Sequence, residues 1–78
     1  MSDAIQQINF YVNEAPPELL HEREEYLTSV FIPWLKRGLE NTTRWVRQDP
    51  DDTEMRELHN AYQTGVKFFT TWEKERAA

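Results

Sequence analysis

The chain has 78 residues, no cysteine, nine Lys and Arg against fourteen Asp and Glu, and a formal net charge of -5. That length accommodates one small domain and excludes a second; at this size a core contributes only about 3–5 kcal/mol, and without cysteine the missing stability has to come from a metal or from self-association. Two glycines and four prolines leave little turn material, while 38% apolar and 13% aromatic content suffices for burial, so disorder and a many-stranded sheet are both disfavoured.

The first residues lack a positive region followed by an apolar stretch, and no run approaches the roughly 18 apolar residues of a membrane span. The expectation is a cytoplasmic chain that neither carries a signal peptide nor crosses a membrane. Asn41-Thr42-Thr43 has the form of a glycosylation acceptor, which in that setting reads as chance.

Residues 1–15 come first and are ambiguous. Ile5, Ile8 and Val12 with Ser2 as a cap fit a short helix, whereas Ile8, Phe10 and Val12 alternate as a strand would. A lone strand has no partner in an otherwise helical chain, so a short helix or ordered arm lying on the rest is expected.

Pro16-Pro17 opens a helix expected to run over 16–48, because the first helical residue needs no amide donor and proline already holds a suitable φ. Leu20, Leu27, Phe31, Trp34 and Trp45 lie within about 60° of arc on it, a stripe of the heptad kind. Pro33 removes the hydrogen bond to the carbonyl of Ser29 and crowds that turn. With the stripe continuing on both sides, a kink near Pro33 is expected rather than two separate helices.

Residues 49–53 form an acidic turn, and a second helix is expected over 50–77. Asp49 is placed to cap it, and Asp51, Asp52 and Glu54 put negative charge in the first turn, where the helix dipole favours it. Met55, Leu58, Tyr62, Val66 and Phe69 step by three and four along one face. Two long helices joined by so short a turn make an antiparallel hairpin, giving one all-α domain over 1–78.

The glycines suggest a register. With the turn centred near residue 51 or 52, Gly38 faces Gly65, Trp45 faces Leu58 and Trp34 faces Phe69. Each glycine costs about 1 kcal/mol relative to Ala inside a helix, and close approach of the two backbones at that point is the reason sought for them.

A second apolar stripe runs along each helix: Ile32, Leu35, Leu39 and Val46 on the first, Ala61, Phe68 and Trp72 on the second. Each lies about 80–140° from the stripe that meets the partner helix. The N-terminal arm is long enough to cover one of them and too short for both. Leu35, Leu39, Val46, Phe68 and Trp72 are therefore expected at an interface with a protein partner, most simply another copy. The bland alternative is that they wrap a wider core around the arm.

Chemistry-bearing patterns are sparse. Glu18 and His21 have the Glu-x-x-His spacing of di-iron bundles, but they point away from the apolar stripe and no second pair exists. His21 to Glu25 lacks the second histidine of a zinc-protease helix. Asp49, Asp51, Asp52 and Glu54 lack the glycine and spacing of a calcium loop. No metal, no cofactor and no enzymatic activity are expected. His59, next to Leu58, reads as a partly buried core or interface residue.

Two binding surfaces remain. Lys36, Arg37, Arg44 and Arg47 against Glu40 give the first helix a local +3, which with Trp34, Trp45 and Lys67 forms a candidate patch for a small anionic ligand such as a nucleotide. Cations near a helix C-terminus also simply complement its dipole. Extended duplex DNA is disfavoured by the negative overall charge, and direct nucleic-acid binding is not expected. The acidic tip of Asp49, Asp51, Asp52 and Glu54 suits a basic protein partner, and acidic inhibition of a nucleic-acid-binding protein is a further possibility. Finally, Tyr62-Gln63-Thr64-Gly65 resembles the hairpin signature of phage proteins that sequester cyclic oligonucleotide signals. The resemblance spans four residues; it implies ligand sequestration by an oligomeric hairpin and assigns no residue a role.

Overall fold

The computed structural model describes residues 3–77. Ser2, expected as a cap, lies outside them. Helix α1 (Asp3–Asn9) continues into a widened π-helical turn (Phe10–Glu14); then come α2 (Pro17–Glu22), α3 (Glu24–Tyr26), a second π-helical turn (Leu27–Phe31), α4 (Ile32–Gln48) and α5 (Thr53–Ala77). There is no strand among the described residues, so the N-terminal segment is the helical arm and not the strand alternative.

Proline placement explains most of the boundaries. Ala15 and Pro16 are extended, at ψ 128° and 156°, because the residue before a proline is pushed out of the helical region; Pro17 then starts α2. Pro33 falls in the first turn of α4, just after the π-helical turn. There the Ile32 N–H donates five residues back, to the carbonyl of Leu27. The widening gives the Pro33 ring room against the preceding turn, so the helical run continues through Pro33 without a break. A smaller irregularity at Arg23, with φ −101° and ψ 17°, separates α2 from α3. The helix expected over 16–48 is thus one helical run in three pieces.

The turn departs from expectation. Pro50 does not begin α5: it is the second residue of the turn Asp49-Pro50-Asp51-Asp52, closed by the Asp52 N–H donating to the Asp49 carbonyl at 3.2 Å. Asp52, not Asp49, is the cap, its Oδ1 accepting from the Met55 N–H at 3.1 Å. Helix α5 therefore starts at Thr53, three residues later than expected.

That shift moves the register by the same amount. An ideal Cβ on Gly38 would lie 2.2 Å from Cε1 of Tyr62, and one on Gly65 would lie 3.0 Å from Cδ2 of Leu35. Phe31 meets Phe69 with ring centroids 5.6 Å apart. As numbers rise along α4 they fall along α5, which makes the pair antiparallel. The two glycines do not face each other, and Phe31 takes the place expected for Trp34 opposite Phe69. Each glycine instead receives a large side chain from the other helix: Tyr62 over Gly38 and Leu35 over Gly65.

The arm closes the core from the side. Ile8 reaches Gly65, with its Cγ2 3.2 Å from an ideal Cβ there, and so meets Leu35 in the same place. Ile8, Tyr11, Leu20, Leu27, Phe31, Ile32, Leu35, Tyr62 and Phe69 form one buried cluster. The molecule measures 39 × 23 × 17 Å, its long dimension set by α5, whose 25 residues span about 37 Å.

Candidate functional site

The second apolar stripes meet different fates. Leu35, expected at an interface, is 0% exposed, enclosed by Gly65 and the arm residue Ile8. It is a core residue and presents no surface to a partner. Leu39 and Val46 remain half-buried on α4.

Phe68 and Trp72 are half-buried on α5 and stand beside an open groove. Val12 forms its wall from the arm; Thr64, Lys67, Phe68, Thr71, Trp72 and Glu75 come from α5. At 100° per residue these α5 residues fall within about 140° of arc, on one face of the helix. A second groove continues past Val12 and Thr64 to Ile5, Ile8, Asn60 and Ala61. Ile5, Ile8, Asn9, Val12 and Asn13 of the arm thus flank the Ala61 end of the α5 stripe, whereas Val12 is the arm residue that lines the Phe68 and Trp72 end, all three α5 residues being half-buried. Phe68 and Trp72 are held from behind by Phe69, at centroid distances of 5.0 and 5.5 Å in edge-to-face geometry. The Arg76 guanidinium lies over the Trp72 ring at 4.6 Å and pairs with Glu24.

The residues of the proposed basic-aromatic patch do not converge. Lys36, Arg37, Arg44 and Arg47 are exposed on the outward face of α4, where Arg44 bonds Asn41 at 3.0 Å and lies 4.0 Å from Glu40. Trp34 is half-buried against Phe31 and Tyr62. Lys67 lies two residues from Gly65, about 200° round α5, and so points away from α4.

At the tip, Asp49, Asp51 and Glu54 are exposed, whereas Asp52 is committed to structure. Besides capping α5 it accepts from Nε1 of Trp45 at 3.2 Å, tying α4 to the start of α5. Farther in, Thr42 is buried and its hydroxyl donates to the Gly38 carbonyl at 2.8 Å. Nδ1 of His59 lies 3.1 Å from the same Thr42 Oγ1, within hydrogen-bond distance. His59 is therefore a helix-to-helix link.

One cleft escaped the sequence. Phe10, Tyr11, Arg23 and Tyr26 line it with Asp3, Gln6 and Gln7, and Arg23 Nη1 donates to the Tyr11 hydroxyl at 2.7 Å. The pairing joins residues twelve apart across the proline break, so no helical spacing announces it. The aromatic pair Phe10-Tyr11 was the one available signal.

Burial pushes the Tyr62 phenol above the ordinary value of 10.0. Its ring fills the space over Gly38 and stands edge-to-face on Trp34 at 5.2 Å. Tyr62 and Gly65 are thus both engaged in helix packing, which accounts for two of the four residues behind the resemblance noted above. No family model matches the chain, and neither a curated protein nor a solved structure matches it significantly. No helix among the described residues is long and apolar enough to cross a membrane.

Proposed function

We propose that this chain is a non-enzymatic protein-interaction module, a self-associating hairpin that serves as an adaptor, regulator or inhibitor. The observation that carries the reading is the groove of Val12, Phe68 and Trp72: large apolar side chains, backed by Phe69, beside a face of α5 where the arm contributes only Val12. Rigid aromatic anchors of this kind supply contact area at low entropic cost. In the assembled form the acidic tip, with Asp49, Asp51 and Glu54 exposed, is left pointing outward for a basic partner. Sedimentation at micromolar concentration tests the reading. A species larger than the 9.4 kDa monomer is expected, and a clean monomer would sink it.

A second reading, binding of a small anionic ligand, shifts from the outward face of α4 to the cleft of Phe10, Tyr11, Arg23 and Tyr26. There a guanidinium stands among three rings, a setting suited to a planar anion, with Asp3 at the rim working against it. Thermal shift with a panel of nucleotides decides this reading: no stabilisation at millimolar concentration removes it.

A further inference from the structure

We infer that the occupant of the Phe68 and Trp72 groove is the same groove of a second copy, docked antiparallel about a twofold axis that passes beside Thr71. This rests on the self-association proposed above and adds its register. Lys67, Thr71 and Glu75 occur at steps of four along the exposed side of α5, so one cation stands a turn before Thr71 and one anion a turn after it. Along the helix the two charges are about 12 Å apart, too far to pair with each other. Among the described residues neither makes an ion pair within the chain.

A twofold contact is self-complementary: whatever residue i meets, the partner's copy of that residue meets i. Setting Thr71 against the partner's Thr71 brings Lys67 level with the partner's Glu75, and Glu75 level with the partner's Lys67. A parallel arrangement would instead put Lys67 against Lys67 and Glu75 against Glu75. Opposite charges disposed evenly about a small residue therefore select the antiparallel pairing and reject the parallel one. Thr71, exposed and with its hydroxyl turned back to the Lys67 carbonyl at 3.4 Å, offers little bulk on the axis and lets the two helices close. Phe68 and Trp72 lie on the same flank of this seam, so the twofold gathers four rings on one side, where Val12 bounds the groove.

The chain has no cysteine, so a single introduced thiol reports only on contact between copies. Thr71→Cys is expected to give a disulfide-linked dimer under mild oxidation at least tenfold faster than Thr70→Cys, which is also exposed but about 100° round the helix. Lys67→Glu and Glu75→Lys should each weaken self-association tenfold or more in sedimentation, and the double exchange should restore it, with unchanged circular dichroism throughout. Wild-type chain that sediments as a monomer overturns this inference together with the reading it rests on. An oligomer in which Thr71→Cys links no faster than Thr70→Cys, and in which the charge exchanges have no effect, overturns the register alone.

Discussion

Between Tyr11 and Trp72 the hairpin is held by rings, whereas between Thr42 and Asp52 it is held by a few polar contacts aimed atom by atom. In the first region Phe31 is the hub: its centroid lies 4.8 Å from Tyr11, 5.4 Å from Trp34 and 5.6 Å from Phe69, so one side chain joins the arm, α4 and α5. In the second, Thr42 meets His59, Trp45 meets Asp52, and Asp52 caps α5. Ring packing is tolerant of angle and strong in sum; single hydrogen bonds contribute about 1 kcal/mol each and depend on geometry. The wide end therefore supplies most of the stability, and the tip fixes the alignment of the helices.

That contrast can be broken by substitution. The largest effect should come from Phe31→Ala, which empties the hub and costs about 3–5 kcal/mol, enough in a chain of this size to leave it largely unfolded when followed by circular dichroism. Next is Gly38→Ala. Its new methyl would stand 2.2 Å from the buried Tyr62 ring, which has no flexible end to give way, and a loss of about 1–3 kcal/mol is expected in chemical denaturation despite the better helix propensity of Ala. Asp52→Ala, which removes both the cap and the indole contact, should cost about 1 kcal/mol and lower the midpoint without unfolding the chain. If it costs more than Phe31→Ala, the division between the two ends is mistaken.

Smaller effects sharpen the picture. Gly65→Ala meets only the methyl groups of Leu35 and Ile8, at 3.0 Å and beyond, so the propensity gain of about 1 kcal/mol offsets most of the crowding and the melting temperature should move by only a few degrees. Tyr62 gives the last test. Its folded-state titration is raised by burial, so its contribution is fully present below the ordinary value of 10.0 and is lost as pH rises through the higher folded value. Wild-type stability should therefore fall on the alkaline side of pH 10 by more than that of Tyr62→Phe, measured in parallel urea titrations. Equal slopes would show that the phenol is not the titrating group.

Much of the architecture was legible because its signals are local. The step of three and four along Met55, Leu58, Tyr62, Val66 and Phe69 describes one helix face whatever lies opposite, and Pro17 starts a helix where proline geometry says it should. The groove was half legible: periodicity sets Phe68 and Trp72 apart from the stripe that meets the other helix, and Leu35 by the same periodicity was not distinguishable from them. What separates them is the arm, whose Ile8 reaches Gly65 and encloses Leu35 while Phe68 lies beyond its cover. Periodicity gives the direction of a side chain and is silent about what covers it. The cleft around Arg23 was missed for a related reason, since its residues converge only after the chain has folded back across Pro16 and Pro17.

Composition by itself determined that the chain is acidic, and the charge divides into -2 over residues 1–17, 0 over 18–48, -4 over 49–57 and +1 over 58–78. Helix type, the irregular turn before Pro33 and the hairpin follow from backbone preferences that each segment expresses by itself. The register did not follow. The sequence pointed to Asp49 as the cap, and Asp52 takes that place in the structure, in the register where Tyr62 fits over Gly38 and Leu35 fits over Gly65. A cap contributes about 1 kcal/mol, while the fit of large side chains into two glycine gaps contributes several, so packing between the helices decides which aspartate starts the second one.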